Sequence, residues 1–553
     1  MVAKGPMSRP VRRPMQGILP FESRALRIAT EVRAKLSRLR NTSVPRAERT
    51  PRVVDLFSGC GGLFLGFHRA GATSIGGVEI DPLASLSYAL NFHAEASPED
   101  FEQHAMAKDI TARENEAAVL MRRWGYPEPG GMVDIIVGGP PCPAFARVGR
   151  AKLREINNHP EAFKHDPRAQ LYLPYLRYVE TLAPVALVME NVPDILNYGG
   201  HNLGEEICEA LDELGYRSAY TLLNAASYGV PQMRERFFLL AVHEAAGVRP
   251  CFPEATHEVE FPPGYEGSRQ VALKHILVDD EEGLSRSHYV PSPGLVAAPR
   301  LAVTAEDALS DLPPLTAHLE GRDRRGARRF DSGVGYRKDV EPTPYALDLR
   351  TWPGFATRGE LFDHVTRYLS TRDYRLFHLM QPGDDYPKAH ALAERLFNEA
   401  LRTMARNGQS PREGTQAWEK LRAEYVPPYD ASKFPNKWRK MEANQPARTL
   451  MAHLGKDTYS HIHYDSRQAR TITVREAARL QSFPDGFVFK GTMNPAFRQI
   501  GNSVPPLLSF AIARALFRSL GISSVSRMKA GITKGSEEGR ARLESRAQAG
   551  GMR

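Results

Sequence analysis

The chain has 553 residues, of which 42% are hydrophobic and 25% are charged, and its formal net charge is +9. These values are typical of a soluble globular protein with a large core and room for roughly three or four domains. Only four cysteines are present, and they are scattered: Cys60, Cys142, Cys208 and Cys251. This excludes a disulfide framework and a Cys-x-x-Cys zinc site, so we expect reduced thiols and no metal.

The N-terminus is basic and contains prolines, but it lacks the apolar segment of a secretory signal. No apolar run in the sequence has the length that crosses a bilayer. We therefore expect an intracellular, cytoplasmic protein.

The positive charge is concentrated in two tails. Residues 1–52 carry thirteen Lys and Arg against three Glu, and residues 522–553 carry seven against three. Within the first tail, Ala25, Ala29, Val32, Leu36 and Leu39 fall at helical spacing among arginines, which predicts a basic amphipathic helix. Two roles remain open for this helix: docking against the main body through its apolar stripe, or contact with a DNA backbone.

The ordered part opens with a short strand from Val53, a glycine-rich turn around Gly59, and a helix over 65–70. A second strand over 74–78 ends at Glu79, twenty positions after Gly59. Glycines let a backbone approach a ligand, and an acid at a strand end accepts hydrogen bonds from ribose hydroxyls. The glycine spacing is not that of G-x-G-x-x-G, so the pattern favours a nucleoside cofactor other than a dinucleotide.

A run of β-branched residues, 133–137, ends in Gly-Gly-Pro-Pro and places Cys142 at the carboxyl end of a buried parallel strand. Ligands of open α/β sheets bind at this edge. The two prolines stiffen the loop, which suits a nucleophile held in one place. A free cysteine is more often simply a buried hydrophobe, but this setting favours catalysis.

Another buried strand, 185–189, ends in Glu190 at the same edge of the sheet. Further strands are predicted over 218–224 and 237–242. Between them, alternate spacing predicts Gln232, Arg234 and Arg236 on one face of an extended segment, where the guanidinium groups could grip an anion or a base edge.

The pattern changes from about residue 244. Residues 244–300 are rich in prolines and charges, and a short helix is predicted to begin at Thr304. Residues 315–445 have weak periodicity, with several arginines at 322–329 and interspersed aromatic residues, which favours a separate domain. Order returns near the C-terminus, where Thr473 and Glu476 have the spacing of a capping box.

The motifs resemble those of the DNA (cytosine-5)-methyltransferase family. Its landmarks occur in the usual order: DLFSGCGG, VEID, KDI, GGPPC, ENV, QMRER, RTITVREAARLQSFPD and RQIGNSVPP. The resemblance covers residues 53 to about 242 and again about 446 to 516. It implies an α/β fold, a doubly wound Rossmann-like sheet that binds S-adenosylmethionine, with a second, variable target-recognition domain.

The resemblance assigns roles to the residues at the strand ends. Cys142 would attack C6 of a flipped-out cytosine as a thiolate, and Glu190 would hold or donate the proton at N3. Arg236, with Arg234 as a second candidate, would stabilise developing charge, and Gln232 belongs to the same motif. The implied cofactor-binding residues are Phe57, Ser58, Gly59, Gly61, Glu79, Ile80, Asp109, Ile110, Pro141, Leu171, Asn502 and Ser503.

Two positions depart from the family pattern: Pro143 follows the cysteine where Gln is common, and Ala146 stands where Ser is common. The contacts of the substrate loop with the DNA backbone depend on these positions. Two rivals stay open: a transfer-RNA cytosine methyltransferase on the same scaffold, and a catalytically silent DNA-binding protein. An amino-methyltransferase is set aside, because Asn494-Pro495-Ala496-Phe497 lacks the second proline of its tetrad and follows no strand.

We expect five segments. They are a basic extension (1–52), a catalytic and cofactor-binding domain (53–314), a target-recognition domain (315–445), a return to the catalytic domain (446–521) and a basic tail (522–553). The implied partner is double-stranded DNA. Three settings stay open: partnership with a cognate restriction endonuclease, another defence system, or an enzyme that acts alone. We expect a monomer in the cytoplasm of a prokaryotic cell, associated with the nucleoid when bound.

Overall fold

The computed structural model describes residues 21–128, 130–141, 171–197, 202–262, 265–281, 287–321, 333–357, 359–456 and 458–523, together with Ser545. The first strands in the chain are β1 (Arg52–Leu56), β2 (Thr73–Val78), β3 (Ile135–Gly138), β4 (Ala186–Asn191), β5 (Tyr216–Asn224), β6 (Gln232–Met233) and β7 (Glu235–His243). All of these except β6 form a six-stranded sheet with the order β2-β1-β3-β4-β7-β5.

The sheet is mixed. β2, β1, β3 and β4 run parallel, whereas β7 is antiparallel to both β4 and β5. Most residues of the parallel strands are buried because helices cover both faces of the sheet, so the apolar residues of β3 and β4 form runs rather than alternating with polar ones. The α/β, doubly wound fold expected from the sequence is confirmed.

Helices lie on both faces of the sheet. They are α1 (Phe21–Arg40), α2 (Gly62–Arg69), α3 (Pro82–Phe92), α4 (Pro98–Ala105), α5 (Ala117–Arg123), α6 (Tyr172–Leu182) and α7 (Leu203–Glu213). One apolar cluster joins α1 and α2 to the sheet, and a second joins α5, α6 and α7 to the opposite face.

Helix α1 is docked. Val32 and Leu36 are buried in the first apolar cluster. The buried Lys35 ammonium donates to the carbonyls of Leu182 and Ala183, each at 2.7 Å, and so satisfies the free C-terminal end of α6. Burial lowers the pKa of Lys35 to about 8. Of the two roles left open for this helix, the structure shows docking against the main body.

The C-terminal part returns to the sheet. Its helices are α14 (Val474–Leu480), α15 (Met493–Asn502) and α16 (Pro506–Ser519). Thr473 and Glu476 form the predicted capping box. Helix α16 packs so closely on α2 that a Cβ atom at Gly66 would stand 2.6 Å from the carbonyl oxygen of Pro506. The last helices therefore complete the layer that covers β1.

The middle of the chain contains more helix than its sequence predicted. The helices are α8 (Tyr265–Glu281), α9 (Ala305–Leu309), α10 (Pro344–Arg350), α11 (Thr371–Leu379), α12 (Tyr386–Arg406) and α13 (Gln416–Tyr425). Short strand pairs join them: β8 (Ala255–Glu258) with β9 (Leu295–Leu301), and β10 (Val334–Gly335) with β11 (Glu360–Leu361). Thr304 begins α9 as predicted.

The apolar packing of the middle part falls into two clusters. Helices α11, α12 and α13 share one cluster with Trp438 and Ile462. The segment from Ala305 to Leu361 instead packs with α14 and α15. The chain thus passes from one apolar cluster to the other near residue 369 rather than at residue 315. The division into five segments stays a prediction. The arginines at 322–329 lie outside the described residues.

One stretch, Met493–Ser519, is long and apolar enough to cross a membrane by length and composition. It consists of two helices, α15 and α16, and 67% of its most apolar window is buried inside the protein. This is typical of core helices and is weak evidence for a membrane span.

Candidate active site

Two neighbouring strand ends carry the predicted catalytic residues. β3 and β4 are parallel partners, with Gly138 opposite Met189. The amide of Asn191 donates to the carbonyl of Pro140 at 2.9 Å and so ties the end of β4 to the loop that follows β3. Cys142 lies outside the described residues, which reach Pro141 on its N-terminal side. The structure therefore brings the start of the cysteine loop beside Glu190.

Glu190 is largely buried and is paired with one cation. Its Oε1 lies 3.1 Å from Nε of Arg236, and the two side chains are 12% and 13% exposed. Burial raises the pKa of Glu190, and the positive charges of Arg236 and Arg234 oppose that rise. A carboxyl group whose pKa is raised in this way is suited to deliver a proton to a ring nitrogen.

The other two residues of the QMRER motif have different partners. The Arg234 guanidinium is buried and donates to the carbonyls of Leu450 and Gly501, both at 2.9 Å. The side chain of Gln232 donates to the carbonyl of Leu480 at 3.1 Å and accepts from the backbone N–H of Leu450 at 3.0 Å. Both side chains therefore attach the returning C-terminal segment, and their catalytic role stays a prediction.

β6 pairs with a strand of the returning segment, β12 (Ala447–Arg448), and ends just before Arg234. β7 begins just after Arg234. The extended segment is thus interrupted between Gln232 and Arg236, which separates the hydrogen-bond partners of Arg234 from those of Arg236. Among the described residues only Arg236 pairs with Glu190, and the grip of an anion or a base edge by both guanidinium groups stays a prediction.

The glycine-rich turn lies at the end of β1. Its residues Phe57, Gly59 and Gly61 have positive φ of 54°, 53° and 99°. The N–H of Gly59 donates to Oε2 of Glu79 at 2.9 Å, while the N–H of Asp81 donates to Oε1 at 2.8 Å. The turn and the acid at the end of β2 are therefore joined directly, and their contact with a cofactor stays a prediction.

The KDI motif lies beside the same strand end. The N–H of Lys108 donates to the carbonyl of Glu79 at 2.6 Å and places Asp109 and Ile110 next to that strand end. Ile110 is buried, whereas Ile80 is 66% exposed. The exposed side chain of Ile80 offers an apolar surface to a planar base, and the exposed carboxylate of Asp109 offers a hydrogen-bond acceptor.

The returning segment contacts the glycine-rich turn. The Ser503 hydroxyl lies 3.3 Å from Sγ of Cys60, and burial raises the pKa of that thiol to about 12, so Cys60 is not a nucleophile. Asn502 is exposed beside Ser503. Leu171 is partly buried against the second apolar cluster, as is Phe57. The predicted cofactor residues on three chain segments thus converge, although their binding role stays a prediction.

Sequence reasoning missed two features of this site. Gly139 lies against the carboxylate of Glu190, where a Cβ atom would stand 3.0 Å from Oε2. Burial lowers the pKa of Arg236, and Asp194, together with Glu190, lies close enough to oppose that lowering. The Gly-Gly before Pro140 was a visible signal for the first feature, whereas nothing in the sequence indicated the second.

Residues 51–290 and 334–518 match the family described as C-5 cytosine-specific DNA methylase. The chain belongs to this family. It is a DNA (cytosine-5)-methyltransferase that acts on cytosine at C5 in specific DNA sequences. The match covers both sides of the active site, namely the strand ends and the returning segment.

Two relatives and one solved structure are similar to the methyltransferase along most of its length. The type II methyltransferase M.OihORF3336P of Oceanobacillus iheyensis is 36% identical over 478 residues, which are 86% of this chain and 96% of the relative. The type II methyltransferase M.AgeI of Thalassovita gelatinovora is 29% identical over 487 residues, which are 84% of this chain and 99% of the relative.

The solved structure is described as a DNA modification methyltransferase encoded within a prophage of E. coli. It is 22% identical, with a TM-score of 0.53, and the match covers 85% of this chain and 99% of that one. At this identity the likeness shows the fold, and it agrees with the mixed α/β sheet of the methyltransferase.

Proposed function

We propose that the methyltransferase uses S-adenosylmethionine to methylate a flipped-out cytosine of double-stranded DNA, with Cys142 as the covalent nucleophile and Glu190 as the acid at N3. The observation that carries this proposal is the Glu190–Arg236 pair at 3.1 Å, at the end of the strand beside the one that leads to Cys142. The domain division predicted from the sequence is part of the proposal, with residues 315–445 reading the target sequence.

The residues at the end of β1 fit S-adenosylmethionine. A Cβ atom at Gly59 would meet nothing within 4 Å, so a ligand has room against that turn. Among the described residues, the buried hydroxyl of Ser58 has no hydrogen-bond partner and is available to a polar ligand group. Glu79 would accept from the ribose hydroxyls, Asp109 and Ile110 would contact the adenine, and Asn502 and Ser503 would close the pocket. When bound, this cofactor supplies an electrophilic methyl group.

The chain's own residues would make C5 of cytosine nucleophilic. Addition of the Cys142 thiolate to C6 places electron density on the ring, and a proton held by Glu190 at N3 draws that density away from sulfur. Arg236 would keep the carboxyl group in position and stabilise charge at the base carbonyl. After methylation, loss of the C5 proton and elimination of Cys142 restore the aromatic ring and the free thiol.

A base stacked in a duplex cannot present C6 and N3 to these groups. The cytosine must therefore leave the helix, at a cost of a few kcal/mol that contacts in the pocket offset. The residues Arg234 and Arg236 lie at the same edge of the sheet as the loops that follow the parallel strands. This arrangement suits the binding of a single extruded base.

We infer a role in restriction–modification, alongside a cognate endonuclease, because two similar relatives are named type II methyltransferases. Such a protein would act as a monomer in the cytoplasm and associate with the nucleoid when bound to DNA. Protection of host DNA from a cognate endonuclease would test this part of the proposal.

The decisive experiment is transfer of a labelled methyl group from S-adenosylmethionine to duplex DNA of mixed sequence, with detection at single-base resolution. The wild-type protein should label cytosine C5 within one recognition sequence, and Cys142→Ala should abolish the label. If transfer RNA is labelled instead of DNA, the substrate in this proposal is wrong. If neither nucleic acid is labelled, the proposal is overturned.

A further inference from the structure

The side chain of Glu235 joins helix α8 to the start of β7. Its Oε1 accepts a hydrogen bond from the hydroxyl of Tyr265 at 2.7 Å and from Nη1 of Arg269 at 2.8 Å. The Glu235 and Arg269 side chains are 11% and 21% exposed, so this ion pair is mostly removed from solvent. A pair of this kind is held more firmly than an exposed surface pair.

The same two residues of α8 are anchored to β5. The amide of Asn224 donates to the Tyr265 hydroxyl at 2.9 Å, and Asn224 is the register partner of Glu235. Arg269 also donates to the hydroxyl of Ser292, which in turn donates to the carbonyl of Leu222. α8 is therefore attached to both β5 and β7 where these two strands pair.

Glu235 is also in direct contact with the catalytic pair through its main chain. Nη1 of Arg236 donates to the carbonyl of Glu235 at 2.7 Å, while Nε of the same guanidinium faces Glu190. The position of the Glu235 main chain thus decides where the Arg236 guanidinium lies. Nothing else in the described contacts of Arg236 orients its Nη1 group.

Helix α8 also contacts the segment that follows β4, the strand that carries Glu190. It packs against the 3-10 turn Pro193–Asn197 that directly follows β4. Asp194 of this turn faces Arg236 electrostatically. One helix thus borders both the segment after Glu190 and the segment before Arg236.

We propose that Glu235, Tyr265 and Arg269 form a bracket that positions Arg236 against Glu190, so that Tyr265 and Arg269 are positioning residues for the base-binding carboxyl group. This inference rests on the proposed role of Glu190 and extends it to α8. The bracket acts through the main chain of β7, and it touches neither base nor cofactor.

The bracket matters because the pair it supports is desolvated. Burial raises the pKa of Glu190, and Arg236 is the largest influence against that rise, followed by Arg234. If the guanidinium shifts away, the charged form of Glu190 loses its main partner while burial remains. The pKa of Glu190 then rises further, and the alignment of its proton with N3 is lost.

The test compares Arg269→Met and Tyr265→Phe with Lys274→Met, which removes an exposed cation from the same helix. The measurements are kcat and KM for methyl transfer to duplex DNA, the pH profile of kcat, thermal unfolding, and cofactor affinity by calorimetry. We expect a loss of kcat of about tenfold or more for Arg269→Met, a smaller loss for Tyr265→Phe, and wild-type behaviour for Lys274→Met. KM, cofactor affinity and the unfolding temperature of Tyr265→Phe should stay near wild type.

A second readout does not depend on methyl transfer. In protein with ¹³C-labelled glutamate carboxyl groups, with Glu190→Gln assigning the signal, the pKa of Glu190 should be higher in Arg269→Met than in the wild type. Compared with Arg269→Met, Arg269→Lys should recover part of the rate and should bring the pKa of Glu190 part of the way back to its wild-type value. The lysine keeps the positive charge but loses the two-pronged geometry of the guanidinium group. An unchanged Glu190 pKa in both bracket variants would overturn the proposal, whether or not the protein methylates DNA.

Discussion

Gly139 lies directly against the carboxylate of Glu190, so that a Cβ atom at residue 139 would stand 3.0 Å from Oε2 and 3.3 Å from the backbone oxygen of Glu190. The glycine therefore leaves room for Glu190, the proposed catalytic acid, just after the end of β3. No larger residue can stand there without moving Glu190 or the loop.

Gly139→Ala should reduce kcat about ten- to a hundredfold with little loss of stability, because a small displacement of a catalytic group is costly to the rate. Gly131→Ala is the matched control, since a Cβ atom at Gly131 meets nothing within 4 Å. Steady-state methyl transfer and thermal unfolding of both variants check the prediction, and equal rates for the two would contradict it.

Glu190→Gln should lower kcat about a hundred- to ten-thousandfold, because the amide cannot deliver a proton to N3. Burial raises the pKa of Glu190, so its protonated form persists to higher pH and is lost as pH rises through that pKa. The alkaline decline of the wild-type rate should therefore weaken in the residual activity of the variant. A kcat within threefold of wild type would be evidence against the assigned role.

Val32→Asp should destabilise the protein by about 3 kcal/mol or more, because Val32 is fully buried on the inner face of α1 among apolar side chains, where a carboxylate would be desolvated. Leu26→Asp places the same charge on the same helix at a side chain that is 65% exposed, and it should change stability by less than about 0.5 kcal/mol. Chemical denaturation measures both. If both variants unfold alike, α1 does not dock in solution.

Gly66→Ala should destabilise the protein by about 1–3 kcal/mol, because the added methyl group would meet the backbone of α16 at Pro506 and Phe510. Gly267→Ala is a control inside α8, where a Cβ atom meets nothing within 4 Å, and it should stabilise slightly by favouring the helix. Urea unfolding of the two variants should give free-energy changes of opposite sign.

His288 should make stability depend on pH. The Glu205 carboxylate, helped by Asp212 at 2.8 Å from Nε2, raises the pKa of His288 to about 9 from the usual 6.5. Because the folded-state pKa is the higher one, this contribution is complete below pH 6.5 and is lost as pH rises through about 9. His288→Asn should lower the unfolding temperature at pH 6 and have little effect at pH 10. His453→Asn makes the same substitution at an exposed site and is the matched control.

The sheet strands were predictable because burial on both faces leaves continuous apolar runs, and the Thr304 and Thr473 caps were predictable from local spacing. Helix α12 was missed although its signals were present: Asp385 caps its N-terminus and Pro387 stands in the first turn. Helix α8 gave a weaker signal, since its apolar positions do not gather on one face and prolines precede it.

The long-range part of the site could not be derived from the sequence. Alternation placed Gln232, Arg234 and Arg236 on one face, but the partners of the first two lie more than two hundred residues away in the returning segment. Which of two arginines meets Glu190 is decided by the break between β6 and β7. A break of one residue has no reliable signature in a chain of this composition.

The packing of α2 on α16 brings together residues separated by more than four hundred positions, as in the bond from the Ser509 hydroxyl to the carbonyl of Leu63. During synthesis, the apolar side of α2 therefore emerges from the ribosome long before the helix that covers it. The glycine-rich turn at the end of β1 also lacks its contact with Ser503 until then. Apolar surface that waits for its covering helix is prone to aggregation, so the order of synthesis sets the interval in which this chain is most exposed to misfolding.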